Sequence, residues 1–144
     1  MQTIIRNIWN EPIWSLLKTA RNEVFVVEQG LDTCVVADDY DQTCTHIIYT
    51  HSEKVIASCR VRIENTIAFI ERVSVLKEYR QQSLSKGILN EALTFIEKTN
   101  VQTVAIVAQS RLISMYEKYG FTPVDDHFMI FGASHIKMTK SINN

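Results

Sequence analysis

The stretch Glu71-Arg-Val-Ser-Val-Leu-Lys-Glu-Tyr-Arg80, continued by Gln81-Gln-Ser-Leu-Ser-Lys-Gly87, decides how this chain folds. Residues from about 67 to 76 alternate as a strand, with Ile67, Phe69, Glu71, Val73 and Val75 expected on one face. From 84 to 99, Leu84, Ile88, Ala92, Phe95 and Ile96 recur at helical spacing. The unit is therefore strand, loop, helix. A helix N-terminus presents unpaired N–H groups and a partial positive charge, which suits a pyrophosphate.

On the N-terminal side, residues 3–8 read as a short strand. Pro12 suits the first turn of a helix, where its missing N–H is no loss. Ile13, Leu16, Leu17, Ala20, Val24 and Val27 extend that helix over 12–27. Gly30 ends it and opens an acidic loop with Asp32, Asp38, Asp39 and Asp41. Strands follow at 46–51 and 55–63, the second alternating Val55, Ala57, Cys59, Val61 and Ile63 with Ser58, Arg60 and Arg62. With 67–76 they make an antiparallel meander.

On the C-terminal side, Thr103-Val-Ala-Ile-Val-Ala108 is a continuous apolar run, the pattern of a strand covered on both faces. Ser110 is placed to cap a helix whose buried side is Leu112, Met115, Tyr116 and Tyr119, stopped by Gly120. Short strands near 121–131 and 134–140 finish the chain. The order β-α-βββ-α-β-α-ββ describes an α+β sheet with helices on its faces.

A chain of 144 residues fits one domain, 1–144, and buries a real core. A net charge of −1 carries no footprint for nucleic acid. No apolar run approaches the roughly 20 residues of a membrane span, and residues 1–6 lack the build of a signal peptide. Cys34, Cys44 and Cys59 have no C-x-x-C spacing, against both a disulfide framework and a zinc site. No metal is expected, and a reducing cytoplasm is the expected compartment.

The quoted stretch resembles the acetyl-CoA segment of the GNAT superfamily of N-acetyltransferases, and Tyr116-Glu-Lys-Tyr-Gly-Phe121 resembles a signature near the end of that fold. Val24-Phe-Val-Val-Glu-Gln29, Asp38-x-x-Asp41-x-x-Cys-x-His46, Ala108-Gln109 and Gly132-x-x-His135-x-x-Met138 resemble its ElaA-like branch. The likeness runs in order through nearly the whole chain. It implies a GNAT-type fold, a mixed sheet of six to seven strands flanked by helices. It also implies transfer of acetyl from acetyl-CoA to a primary amine of a small molecule or peptide, by direct attack in a ternary complex. The protein is expected as a monomer or homodimer.

The resemblance assigns the pyrophosphate to Arg80, Gln81, Gln82, Ser83, Leu84, Ser85 and Lys86. It assigns the acetyl carbonyl and pantetheine to main-chain groups of Val73, Ser74 and Val75, and to Gln109, where relatives carry an Asn. The family's loop usually reads Arg/Gln-x-x-Gly-x-Gly/Ala; here Ser83 and Ser85 replace glycines, and Gln81 also stands where one is common. Glycine permits close backbone approach to phosphate.

Tyr116 is either a core aromatic or the general acid that protonates the leaving thiolate, and the resemblance favours the acid. Glu71 is either the general base, its pKa raised on an apolar face, or the partner of Arg60 or Arg62 across the sheet. His46 and His135 are each either structural, or a substrate ligand or base. Asp41 belongs to a loop that is either simply solvated or attractive to a cationic amine. Arg21 and Glu28 lie on the first helix, which lines the acceptor side in the superfamily; their other reading is surface pairing. The altered glycine positions favour a second function, a non-catalytic acyl-CoA-binding or regulatory protein. Retention of Tyr116 and Glu71 favours the enzyme.

Overall fold

The computed structural model describes residues 1–142. Seven strands form one sheet: β1 (Gln2–Arg6), β2 (Thr45–His51), β3 (Lys54–Glu64), β4 (Ile67–Val75), β5 (Thr103–Gln109), β6 (Thr122–Ile130) and β7 (Ala133–Ser141). Their order across the sheet is β1-β2-β3-β4-β5-β7-β6. Neighbours are antiparallel except β4 and β5, which run parallel. The helix α2 (Leu84–Glu97) makes the crossover between them. Its buried stripe is Ile88, Leu89, Ala92, Leu93 and Ile96. Gly87 in its first turn lets it lie directly on Tyr49 of β2: a Cβ there would sit 2.6 Å from the phenol oxygen.

Pro12 opens α1 (Pro12–Arg21), which buries Trp14, Leu17, Ala20 and Arg21. The expected single helix over 12–27 divides here. Residues Asn22–Glu28 form a wider π-helical turn, which shifts the helical phase yet keeps Val24 and Phe25 buried. The helix expected after β5 is also shorter. A 3₁₀ turn, Ser110–Leu112, precedes α3 (Ile113–Glu117). Ser110 does not cap it; its hydroxyl bonds instead to His127 Nδ1 at 2.7 Å and to the Ser134 hydroxyl at 2.8 Å.

The expected alternation of β4 fails at one place. Glu71 pairs with Arg60 and Ser74 with Ser58, so Arg72 and Val73 together oppose the single Cys59. This is a β-bulge, and Arg72 takes it in the left-handed region at φ 58°. Because one inserted residue reverses the pleat, Val73 and Val75 do not share a face with Glu71. Glu71 instead shares its face with the buried Ser74, whose hydroxyl lies 3.2 Å from that of Ser58. β3 is likewise covered on both sides, burying Ser58 and Arg60 along with its apolar residues.

Just before the bulge, β4 leaves β5. The parallel pairing runs from Ile67 with Thr103 to Ile70 with Ile106 and no further among the described residues. Beyond it, the ends of the two strands diverge, and the sheet is open between them.

Candidate active site

The opening between β4 and β5 is the principal cleft. One part, about 740 Å³, is bounded by Val73–Val75, Gln109, Glu28 and the loop from Arg80 to Ser85. The other, about 590 Å³, reaches Phe69, Glu71, Arg72, Leu89, Met115 and Tyr116. Val73, Ser85, Gln109, Arg111 and His135 line both parts, so the two are continuous.

The loop at the head of α2 keeps a glycine-like backbone without glycine. Gln81 (φ 66°) and Ser83 (φ 59°) both lie in the left-handed region, where side-chain-bearing residues pay roughly 1–3 kcal/mol each. Ser83 is the N-cap but makes no side-chain cap. The first turn of α2 therefore keeps free N–H groups at the cleft. Arg80 pins this loop. Its Nε and Nη2 donate to the Val75 carbonyl at 3.1 and 2.9 Å. Its guanidinium also grips both oxygens of Glu28, the Nη2–Oε1 contact being 2.7 Å. That pairing holds the Glu28 carboxyl below its usual range.

Of the loop residues assigned to the cofactor, Arg80, Gln81, Ser83, Leu84 and Ser85 line the cleft, whereas the side chains of Gln82 and Lys86 do not. Lys86 is exposed on the first turn of α2 and adds positive charge near it. Gln109 accepts a hydrogen bond from Arg111 Nε at 2.9 Å.

Tyr116 is buried beside Phe121, and its hydroxyl has no hydrogen-bond partner among the described residues. Burial, with a smaller contribution from Cys59, pushes its pKa up to about 12. It therefore stays protonated and able to donate.

Three of the expected substrate ligands lie elsewhere. Arg21, Asp41 and His46 are fully buried away from the cleft, in one ion network. Asp41 accepts from Arg21 and from Arg60, each at 3.1 Å, and the Asp41 carbonyl accepts from His46 Nε2 at 3.2 Å. Burial, reinforced by Arg21 and Arg60, lowers the His46 pKa and keeps the ring neutral. In the acidic loop Asp38 and Asp41 tie the chain to the sheet, while Asp32 and Asp39 stay exposed. Asp38 holds Arg60 at 2.6 Å and Arg72 at 3.3 Å, and Arg72 also donates to the Val35 carbonyl.

Glu71 is the far end of this network. It accepts from Nε and Nη2 of Arg60 and from Nε and Nη2 of Arg62, at 2.8 to 3.2 Å. Of its two readings, the structure contains the ion pair: the β3 register sets Arg60 and Arg62 against Glu71 and Phe69, and the bulge takes Val73 and Val75 off that face while Ile67 and Phe69 stay on it. Sequence reasoning missed Arg60 as the hub, although an arginine among the apolar residues of a central strand was a visible signal. It also gave no role to Arg111 or to Leu31 and Phe131, which line the cleft from loops without a motif.

A family model for the acetyltransferase (GNAT) domain matches residues 17–142. A Bacillus subtilis protein provisionally named an acetyltransferase is 31% identical over 126 residues, covering 83% of this chain and 84% of that one. Among solved structures, an acyl-CoA N-acyltransferase from Pseudomonas aeruginosa superposes with a TM-score of 0.89 at 23% identity, covering 97% of this chain and 99% of the other. Escherichia coli ElaA superposes at 0.86 and 24% identity, covering 96% and 97%.

Proposed function

This chain belongs to the GNAT acetyltransferase family, and on that premise we propose that it moves acetyl from acetyl-CoA to a primary amine of a small molecule or peptide. Transfer is direct, with both substrates bound together. The carrying observation is the opening of β4 from β5 directly above the pinned, left-handed loop at the head of α2.

The residues present fit the cosubstrate. The uncapped first turn of α2 and the N–H groups from Gln81 to Lys86 form a cradle for a pyrophosphate. The ends of β4 and β5 leave main-chain groups of Val73 to Val75, apart from the Val75 carbonyl that Arg80 holds, for an amide-bearing arm, in the manner of an added strand. When bound, acetyl-CoA supplies a thioester whose C–S bond breaks as the new N–C bond forms. Tyr116 gives its proton to the departing sulfur, and its raised pKa keeps that proton available at neutral pH.

Calorimetric titration with acetyl-CoA, followed by thiol release against spermidine, lysine, tyramine and an alanyl peptide, tests this reading. Binding with amine-dependent thiol release is expected. Absence of acetyl-CoA binding overturns it. Binding without thiol release from any amine favours the non-catalytic acyl-CoA-binding function instead.

A further inference from the structure

We propose that His135 is the general base of this site, accepting the proton of the acceptor amine on its Nε2; this rests on the acetyltransferase reading above. The first observation is a tautomer. His135 Nδ1 lies 2.8 Å from the carbonyl oxygen of Ala133. A carbonyl only accepts, so Nδ1 carries the hydrogen, and the neutral ring then presents a lone pair at Nε2. That atom has no hydrogen-bond partner among the described residues.

The second observation is place. His135 lines both parts of the cleft and pairs in register with Gln109, at the open end of β5. It therefore stands where the loop-bound half meets the half that holds Tyr116. The third is rigidity. The ring packs on Phe128 with centroids 6.3 Å apart, and the hairpin carrying it is fastened by the Ser110–Ser134 and Ser110–His127 bonds. A base held by a carbonyl on one nitrogen, and free on the other, needs no rearrangement to act.

The remaining groups around the cleft are committed. Glu71 serves Arg60 and Arg62, and Glu28 serves Arg80. Tyr116 is an acid rather than a base. Arg72 and Arg111, which also line the cleft, are cations and cannot accept a proton.

The step balances. The ammonium gives one proton to His135 Nε2, and the freed lone pair forms the N–C bond. The C–S electron pair leaves on sulfur, which takes the Tyr116 proton. The second nitrogen proton, lost as the amide forms, restores the phenol. His135 then releases its proton to water.

The test measures kcat/KM against pH, with the best amine of the panel, for the wild type, His135→Ala and His135→Gln. Both variants are expected to lose about 100-fold or more, the usual range for general base catalysis. Acetyl-CoA affinity by calorimetry should stay within about twofold, far below the tenfold that marks a lost contact. Added imidazole should restore part of the rate to His135→Ala and leave the wild type unchanged. Full activity in either folded variant overturns the assignment, as does a loss without imidazole rescue that is accompanied by weaker acetyl-CoA binding. A wild type that binds acetyl-CoA but acetylates no amine overturns the enzymatic reading itself, a different outcome from an active wild type with active variants.

Discussion

Oε1 of Glu71 lies 2.8 Å from Nη2 of Arg60, and the same oxygen accepts Nε of Arg62 at 3.1 Å, so one carboxylate closes the cleft-side end of a chain of charges. Glu71→Gln removes the charge and turns an amide toward the guanidinium groups. A stability loss of about 1–3 kcal/mol is expected by chemical denaturation. Any rate loss should be by the same factor at every pH. A loss confined to low pH and vanishing at high pH would return Glu71 to the role of base.

Tyr116→Phe removes the proton donor and little volume. A fall in kcat of about 10- to 1000-fold is expected, with acetyl-CoA affinity little changed. Calorimetry and single-turnover rates separate the two effects. An unchanged chemical rate would show that sulfur leaves without help from the phenol.

Ser83 and Ser85 make different predictions although both replace glycines of the family pattern. Ser83 is left-handed and Ser85 lies in the first turn of α2. Ser83→Gly should stabilise the fold by about 1 kcal/mol by relieving its backbone, and raise acetyl-CoA affinity if the relaxed loop approaches phosphate more closely. Ser85→Gly should cost about 0.5–1 kcal/mol as a helical glycine. Thermal melts and titrations on both variants check the opposite signs.

Gly87→Ala brings a methyl group to 2.6 Å from the phenol oxygen of Tyr49, and to 3.2 and 3.3 Å from its ring. Tyr49 is buried, so the ring has little room to retreat. A loss of about 1–3 kcal/mol is expected from overpacking. Adding Tyr49→Phe should recover part of it; no recovery would place the strain elsewhere.

Acid should weaken the protein in two stages. His46 is held neutral by burial, its folded pKa below its unfolded one. Its contribution is complete above the unfolded value of about 6.5 and is lost as pH falls toward the folded value. Asp38 behaves likewise at lower pH. Burial alone would raise its pKa, but the hydrogen bond and charge of Arg60, with the charge of Arg72, overcome this and lower it. Its contribution holds above the unfolded value of about 3.9 and falls away below it. Stability of His46→Gln, measured against pH, should lack the first stage.

The sequence displayed most of the fold because apolar spacing and punctuation are local. α2, the meander and the parallel β4–β5 pair follow from periods that residues 45 to 109 carry openly. The bulge at Arg72 did not, because no glycine marks it and its cause is pairing with a distant strand. That single hidden residue took Val73 and Val75 off the face of Glu71, while Arg60 and Arg62 met it through the regular register with β3. The loop from Arg80 to Ser85 was legible by its place before a helix; of its three usual glycine positions Gln81 and Ser83 are left-handed and Ser85 is helical, a difference no residue type announces. Arg21, Asp41 and His46 looked available because their spacing says nothing about what covers them; burial is a property of the whole packing.

The charge network also constrains how this chain can change over time. Arg60 contacts Asp38, Asp41 and Glu71 at once. Replacing the fully buried Asp41 strands the charges of Arg21 and Arg60, at a cost of roughly 3–5 kcal/mol, whereas replacing a matched set by apolar residues is often neutral. A one-step route through the loss of Asp41 therefore passes through a poorly folding ancestor. The cluster should persist as a block in descendants of this chain, inherited whole or exchanged whole, while the cleft beside it stays free to vary its loops.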